Sequence, residues 1–426
     1  MDILGEIIRV LSIFGSIYFW MEVAAFSIIV LSLNLEYGWA GIPNFGKVAF
    51  VSMGGLAAAL TLNYVIVPML ASITPSQLAA SGISGEKAVE IIEHVKALKE
   101  ALKHGLAPGT YDYTLIMTQH VVPLLQALPQ YYFMLLGLSL LLAALLGGLF
   151  ALIVAYPVVR LREDYLAIVL LMASFLMWMV YTYFPPLIGG TFGILIQTGA
   201  FVTVFGKNAD LARLGILALA AIISLFFAEI LLNTPFGRML RAIRDDEIAA
   251  EALGKNVART RLLVIILSSV WAAMGGALYI LVYVGSIHPD FFKLDMTFIW
   301  IAMMLLGGIG NNLGVVLGTI LFDFLYQASQ TIIGDLLTAL GIGTSVVQQI
   351  QGLAANLLIG ILIIIVLFVR PQGLLPEKPV RTPIWVVFEE RMGYLPKNVK
   401  SLYMVLVKSV TRVAGGRRGK RSSQSR

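Results

Sequence analysis

Long apolar runs separated by short polar stretches dominate the chain. Runs close to the 20 mainly apolar residues that a membrane-crossing helix needs occupy positions 19–35, 45–70, 131–159, 165–184, 211–232, 262–284, 297–326 and 353–369. A further apolar segment, 3–18, is interrupted by Glu6 and Arg9 and reads either as a ninth span or as an interfacial helix. The pattern predicts an all-α fold: a polytopic transmembrane helical bundle of about 8–10 spans.

One run is broken at its centre. Gly307-Gly308-Ile309-Gly310-Asn311-Asn312-Leu313-Gly314 is too rich in glycine and asparagine for a continuous helix, which predicts two half-helices or a hairpin. Irregular backbone at membrane depth persists only where protein or a cavity surrounds it. The segment is therefore a candidate pathway element, with glycine serving close helix packing as the other reading.

Between the second and third runs lies an insertion of nearly 60 residues, 71–129. Within it, 85–104 reads as an amphipathic helix. Ala88, Ile91, Ile92, Val95, Leu98 and Leu102 form its apolar stripe, opposite Glu86, Lys87, Glu90, Glu93, Lys96 and Lys99. Such a helix docks on the mouth of the bundle, on a partner, or on its own loops.

Composition agrees with this pattern. The 426 residues are 59% hydrophobic and 13% charged, with a mean hydropathy of +0.88. One water-soluble core could not hold so much apolar surface. The absence of cysteine excludes disulfides, iron–sulfur clusters and thiolate zinc sites. The N-terminus has no basic region, so no cleaved signal peptide is expected.

Charge adds an orientation. From Arg370 onward 13 Lys and Arg face three acids, whereas the rest of the chain holds 17 basic and 21 acidic residues. A basic tail over 377–426, the Arg160/Arg162 turn and the Arg-rich stretch 238–261 all predict cytoplasmic placement. The insertion then falls outside, and an even number of crossings is required between Asp295 and Gly352. Apolar patches in the tail, such as Trp385–Phe388, suit a helix lying on anionic lipid. Nucleic-acid binding is disfavoured, because no aromatic residues interleave with the charge.

The most informative polar stretch is the loop 234–260. Asp245 is suited to N-cap a short helix, Asp246 and Glu247 suit its first turn, and Gly254 supplies a left-handed stop. Asn256 can cap the helix that follows. Arg238, Arg241 and Arg244 recur every third residue and hold the loop on its acids or on a partner. A helix of about two turns between two breakers makes a poor catalytic site but a good mechanical plug. A solvated basic loop would explain the arginines but not the capped design.

These residues resemble a known family. Gly237–Gly254 follows the pattern G-R-x-L-R-A-I-R-D-D-E-x-A-A-E-A-L-G of permease subunits of branched-chain amino-acid ABC importers, M-type. Leu33-Asn34-Leu35-Glu36-Tyr37-Gly38-Trp39-Ala40-Gly41, Asn44-Phe45-Gly46, Leu161–Ile168, Gly189–Ile194, His288-Pro289-Asp290, Leu306–Gly310 and Arg370–Leu375 follow in family order. The chain departs from the family in its long insertion, in Glu163, in Ala173-Ser174-Phe175-Leu176 and in its basic tail.

The resemblance implies a permease domain, 1–376, of a prokaryotic cytoplasmic membrane importer that moves branched-chain or related amino acids. It implies as partners ABC ATPase subunits, a sister permease and an extracytoplasmic solute-binding protein. Coupling to the ATPase would fall to Arg241, Arg244, Asp245, Asp246, Glu247, Ala250, Glu251, Leu253 and Gly254. Asn34, Asn44, Thr191, Gly307, Gly308, Asn311 and Asn312, polar or flexible positions beside the breaks, are candidates for the substrate pathway. No G-x-x-x-x-G-K-[ST] motif occurs, so the chain is expected to bind no cofactor, ATP and magnesium belonging to the partner. No catalytic or metal constellation emerges among the four histidines. The alternative is an ion-coupled transporter or channel, for which Glu22, Glu229 and Asp323 are the ionisable candidates.

Overall fold

The computed structural model describes residues 9–377, apart from 81–83, 106, 107, 109, 162 and, between 344 and 371, positions 344, 345, 348, 349, 355, 356, 358, 359, 362, 363, 365–367 and 369–371. Eleven helices carry the fold: α1 (Ile17–Asn34), α2 (Lys47–Thr61), α3 (Glu86–Lys103), α4 (Pro129–Val158), α5 (Glu163–Tyr183), α6 (Ala209–Asn233), α7 (Pro235–Asp245), α8 (Glu247–Ala252), α9 (Val257–Leu278), α10 (Leu294–Gly307) and α11 (Asn312–Ala339). Short turns of helix connect several of them. Seven segments among the described residues are long and apolar enough to cross a membrane, so the chain is an all-α, multi-pass membrane protein.

The bundle has an inner and an outer set. In the most apolar windows of α1, α2 and α9, 72–78% of residues are buried, against 17–28% for α4, α5, α6 and α11. Sequence apolarity alone cannot separate these sets, because lipid and core both reward it. Small residues do. On α4, Ser139, Ala143, Gly147, Ala151 and Ala155 recur every fourth position and are buried, while Leu141, Leu145 and Ile153 face outward. That stripe lets backbones approach, the usual logic of packing inside a bilayer. A side chain on Gly276 of α9 would strike the Val51 carbonyl of α2.

Three inner helices end in looser π-type turns: Leu35–Trp39 after α1, Leu62–Ile66 after α2 and Tyr279–Val284 after α9. The last of these exposes carbonyls inside the bundle. Arg213 of α6 satisfies two of them, donating to Val282 O (2.8 Å) and Tyr283 O (2.7 Å), and it pairs with Asp210.

The broken run is a helical hairpin. α10 ends at Gly307, Gly308 and Gly310 take positive φ, and the Asn311 side chain caps α11 by accepting from Gly314 N (3.1 Å). At 14 residues, α10 is only about 21 Å long and shorter than a bilayer core. α11 continues to Ala339, well beyond the predicted end at 326. Residues 372–377 lie across the break, with Leu374 N and Leu375 N donating to Leu306 O and Gly307 O.

The insertion folds as predicted around α3, whose Ile91, Val95 and Leu98 are buried. It is tied to the bundle by hydrogen bonds from Tyr113 to Asn63 and from Gln126 to Gln197. Segment 3–18 is not one helix: Ser12–Gly15 is a 3-10 turn and α1 starts at Ile17, while positions 3–8 lie outside the described residues. The predicted span 353–369 and the tail 378–426 also fall largely or wholly outside them.

Candidate functional site

The loop 234–260, expected from the resemblance to couple to an ATPase, folds as two helices, not one. In α7 the positions Gly237, Leu240 and Ile243 are buried, with Arg238 and Asp245 outward. Gly237 is needed there, because a Cβ would overlap the Leu232 carbonyl. The sequence reading placed the cap at Asp245; the structure places it at Asp246. Asp245 closes α7, whereas Asp246 turns extended (φ −156°, ψ 104°), which frees its side chain to accept from Ala249 N at 3.0 Å. The stop at Gly254 (φ +77°) and the cap at Asn256, which accepts from Arg259 N at 2.9 Å, fall where the sequence puts them.

The short helix α8 is held from behind. Ala250 packs with Ile243 and Val257, and Glu247 pairs with Arg261 at 2.9 Å. Its other side is open: Glu251 is exposed, and Ile248 and Leu253 are 79% and 81% exposed. Two large apolar side chains held out on a braced, capped helix form a rigid knob that gains by burial in a partner.

The three arginines do not act together. Arg238 is exposed. Arg241 lies over the Trp39 ring, 5.2 Å from its centroid, and donates to Leu232 O. Arg244 reaches furthest into the bundle. Its Nη1 donates to Gly38 O (2.6 Å), and Nη2 pairs with Glu377 (3.0 Å). Gly41 (φ +69°) leaves room, since a Cβ there would sit 2.9 Å from the Arg244 side chain.

Behind Gly38 lies a polar chain, buried at Asn34 and Asn312 and ending on the exposed Glu229. Asn34 accepts from Gly310 N (3.0 Å) and donates to Asn312 Oδ1 (2.9 Å). Trp39 Nε1 donates to the same oxygen (3.3 Å), and Asn312 Nδ2 donates to Glu229 Oε1 (3.0 Å). Asn34, Gly307, Gly308 and Asn312 of the predicted pathway set are thus brought together at the hairpin break. Asn311 is spent on capping and on Pro376 O. Thr191 does not join them. It is exposed beside β1 (Ile194–Leu195), which pairs with β2 (Ser286–Ile287), and its carbonyl accepts from His288 Nε2. That is near the far end of the helix begun by Val257: Val284 lies 16 residues, about 24 Å, beyond Ser268, whose partner Glu36 is two residues from Asn34.

Asn44 belongs to a second cluster that sequence reasoning missed. It donates to Glu36 Oε2 (2.8 Å), and Glu36 forms an ion pair with Lys47 (3.3 Å) with neither side chain exposed. Lys47 also donates to Ser268 O and Oγ, and Ser268 is hydrogen-bonded to Glu36. The ionisable groups picked from sequence were those inside apolar runs. Glu36 lies just past the run 19–35 and Lys47 at the start of the run 45–70, and only folding the turn between them inward buries both. The available signal was their opposite charge on either side of one Gly/Pro-rich turn.

In the insertion, His94 Nδ1 and His120 Nδ1 are 2.9 Å apart. Burial, with the neighbouring His94, lowers the His120 pKa below the ordinary imidazole value, and Glu93 partly opposes this.

Known proteins align with most of this chain. The profile of the family described as "Branched-chain amino acid transport system / permease component" matches residues 16–367. The chain is 33% identical over 357 residues to the "Probable branched-chain amino acid transport permease protein LivM" of Methanocaldococcus jannaschii, covering 84% of this chain and 92% of that one. It is 28% identical over 258 residues to the "High-affinity branched-chain amino acid transport system permease protein LivM" of Escherichia coli, covering 55% and 56%. A nucleoside ABC transporter permease of Lactococcus lactis is 30% identical over 198 residues, 43% of this chain and 60% of its own. No solved structure gives a significant match.

Proposed function

The chain belongs to the permease-component family of branched-chain amino acid transport systems, and from that premise we propose that it carries branched-chain or related amino acids inward, driven through α8 by a separate ATPase. The observation that carries this is the mechanical continuity from an exposed knob to the polar break. Ile248 and Leu253 seat in the ATPase on the cytoplasmic side. Closure of the ATP-bound motor, which supplies the nucleotide and magnesium, moves α7 and α8 as a braced unit. Arg244 transmits that motion to Gly38 and the 372–377 strap, and through Gly38 to Asn34, Gly310 and Asn312.

In this arrangement the basic loop and tail are cytoplasmic and the insertion faces outward, where a solute-binding protein delivers the substrate. A sister permease covers the α6 face that leaves Glu229 exposed. The branched-chain amino acids named for the aligned LivM relatives favour aliphatic amino acids as the cargo.

The test is leucine uptake by the assembled transporter in proteoliposomes with ATP inside. Ile248→Asp and Leu253→Asp should each weaken ATPase binding by about 2 kcal/mol, roughly 30-fold, as for a buried interface anchor. Undiminished co-purification of the ATPase with the double variant would rule out α8 as the docking knob.

A further inference from the structure

A cavity of about 610 Å³ lies at the far end of α1 and α11 from the coupling loop. The two helices run antiparallel: Asn34 meets Asn312 at one end, and Glu22 meets Gln327 twelve residues back along α1, about 18 Å away. Glu22, Tyr283, Gln327, Gln330 and Thr331 line the space. Its size lies within the range of small-ligand sites.

Glu22 is the group that neither the coupling machinery nor the packing uses. Its Oε2 accepts from Tyr283 Oη (3.0 Å) and from Gln327 Nε2 (3.2 Å), while Oε1 has no donor among the described residues. Gln327 also reaches Asp323, which is 2% exposed. Among the described lining residues there is no Lys, Arg or His, and Asp335 at the rim is already paired with Arg9 (2.8 Å). A carboxylate within a membrane bundle is costly and marks a pathway unless a cation answers it. Two neutral donors orient Glu22 without supplying that charge. The hydroxyl and amides of Thr331, Gln330 and Gln327 complete a wall able to bond a second polar end of a small solute.

We propose that this cavity binds the primary ammonium group of a small solute, with Glu22 as the charged contact and Tyr283 and Gln327 as its positioning partners. The identity of that solute as an amino acid rests on the permease function proposed above; the chemistry of the site does not.

The chain has no cysteine, so Thr331→Cys places a single thiol in the cavity wall of the full chain. Its labelling by a small maleimide is followed in the assembled transporter, in phosphatidylglycerol nanodiscs. Leucine and leucinol, which share the ammonium, should slow labelling roughly ten-fold at ten times their dissociation constant. 4-Methylpentanoate, which lacks the ammonium, should not. Adding Glu22→Gln should abolish the protection, and Tyr283→Phe should weaken it; if the first fails to fold, the second and the ligand comparison still decide. Equal protection by 4-methylpentanoate, or full protection in the Glu22→Gln variant, overturns the proposal. Slow labelling in phosphatidylethanolamine nanodiscs without added solute would assign the ammonium to a lipid headgroup and overturn the solute site. Uptake measured in parallel separates the two inferences. Leucine transport without protection overturns the cavity site alone, whereas protection without transport supports the site and removes leucine as cargo.

Discussion

Arg244 shows how much one side chain can carry when its nitrogens serve different neighbours. One nitrogen holds a backbone carbonyl at the end of α1 and another holds Glu377. Lysine keeps the charge but offers a point donor in place of a fork. Arg244→Lys should therefore leave thermal stability nearly unchanged while lowering ATP-driven uptake about ten-fold, with ATP hydrolysis retained. Arg244→Ala should also cost about 1.5–3 kcal/mol through the lost charge-assisted bonds. Equal uptake by Arg244→Lys and the parent would remove it from the transmission path. The Glu36–Lys47 pair makes the opposite point, about stability. Lys47→Met leaves a buried carboxylate without its cation and should cost about 3–5 kcal/mol, whereas the double change to Glu36→Gln, Lys47→Met should recover most of it. Thermal unfolding of the parent, the two single variants and the double variant in detergent forms the cycle that decides.

At the scale of the element, α8 depends on its ends. Six residues cannot sustain a helix by propensity, so Asp246, Gly254 and the packing of Ala250 must hold it. Asp246→Ala should cost about 1 kcal/mol locally, and Gly254→Val, at φ +77°, about 1–3 kcal/mol. Amide exchange in 247–254 should rise accordingly, while that of α9 stays unchanged. The insertion offers a pH test. Since the His120 pKa is lowered in the folded state, the unfolded state binds more protons near pH 6. Stability from this pair is whole above the ordinary value of about 6.5 and is lost as pH falls through the lowered folded value. Exchange in α3, corrected for intrinsic rates, should rise between pH 7.5 and 5, and His120→Gln should flatten that dependence. A pH-independent α3 in the parent protein would contradict it.

Across the whole molecule, packing among α2, α4 and α9 rests on absent side chains. Gly276→Leu drives a side chain into the Val51 carbonyl and should destabilise by more than the about 1–3 kcal/mol of ordinary overpacking, because backbone cannot yield as a side-chain tip does. The measurable outcome is loss of monodisperse protein on extraction, with Gly137→Ala, where a Cβ on α4 would meet nothing within 4 Å, as the tolerated control.

The sequence by itself determined what depends on local chemistry. Apolar run length set the helices, glycine and asparagine density set the break at 307–314, and the α3 stripe, the Gly254 stop and the Asn256 cap could be read residue by residue. Each of those signals is complete within a few turns of chain. Only the tertiary structure decided which helices are inner, since lipid and protein reward the same apolar residues. It moved the cap from Asp245 to Asp246, because the turn between α7 and α8 depends on how α7 packs. It also buried Glu36 against Lys47, joined Arg244 to Gly38, and set Thr191 apart from Asn34 and Asn312. Those are contacts between residues distant along the chain or across a fold in it, and local patterning carries no record of which distant groups will meet.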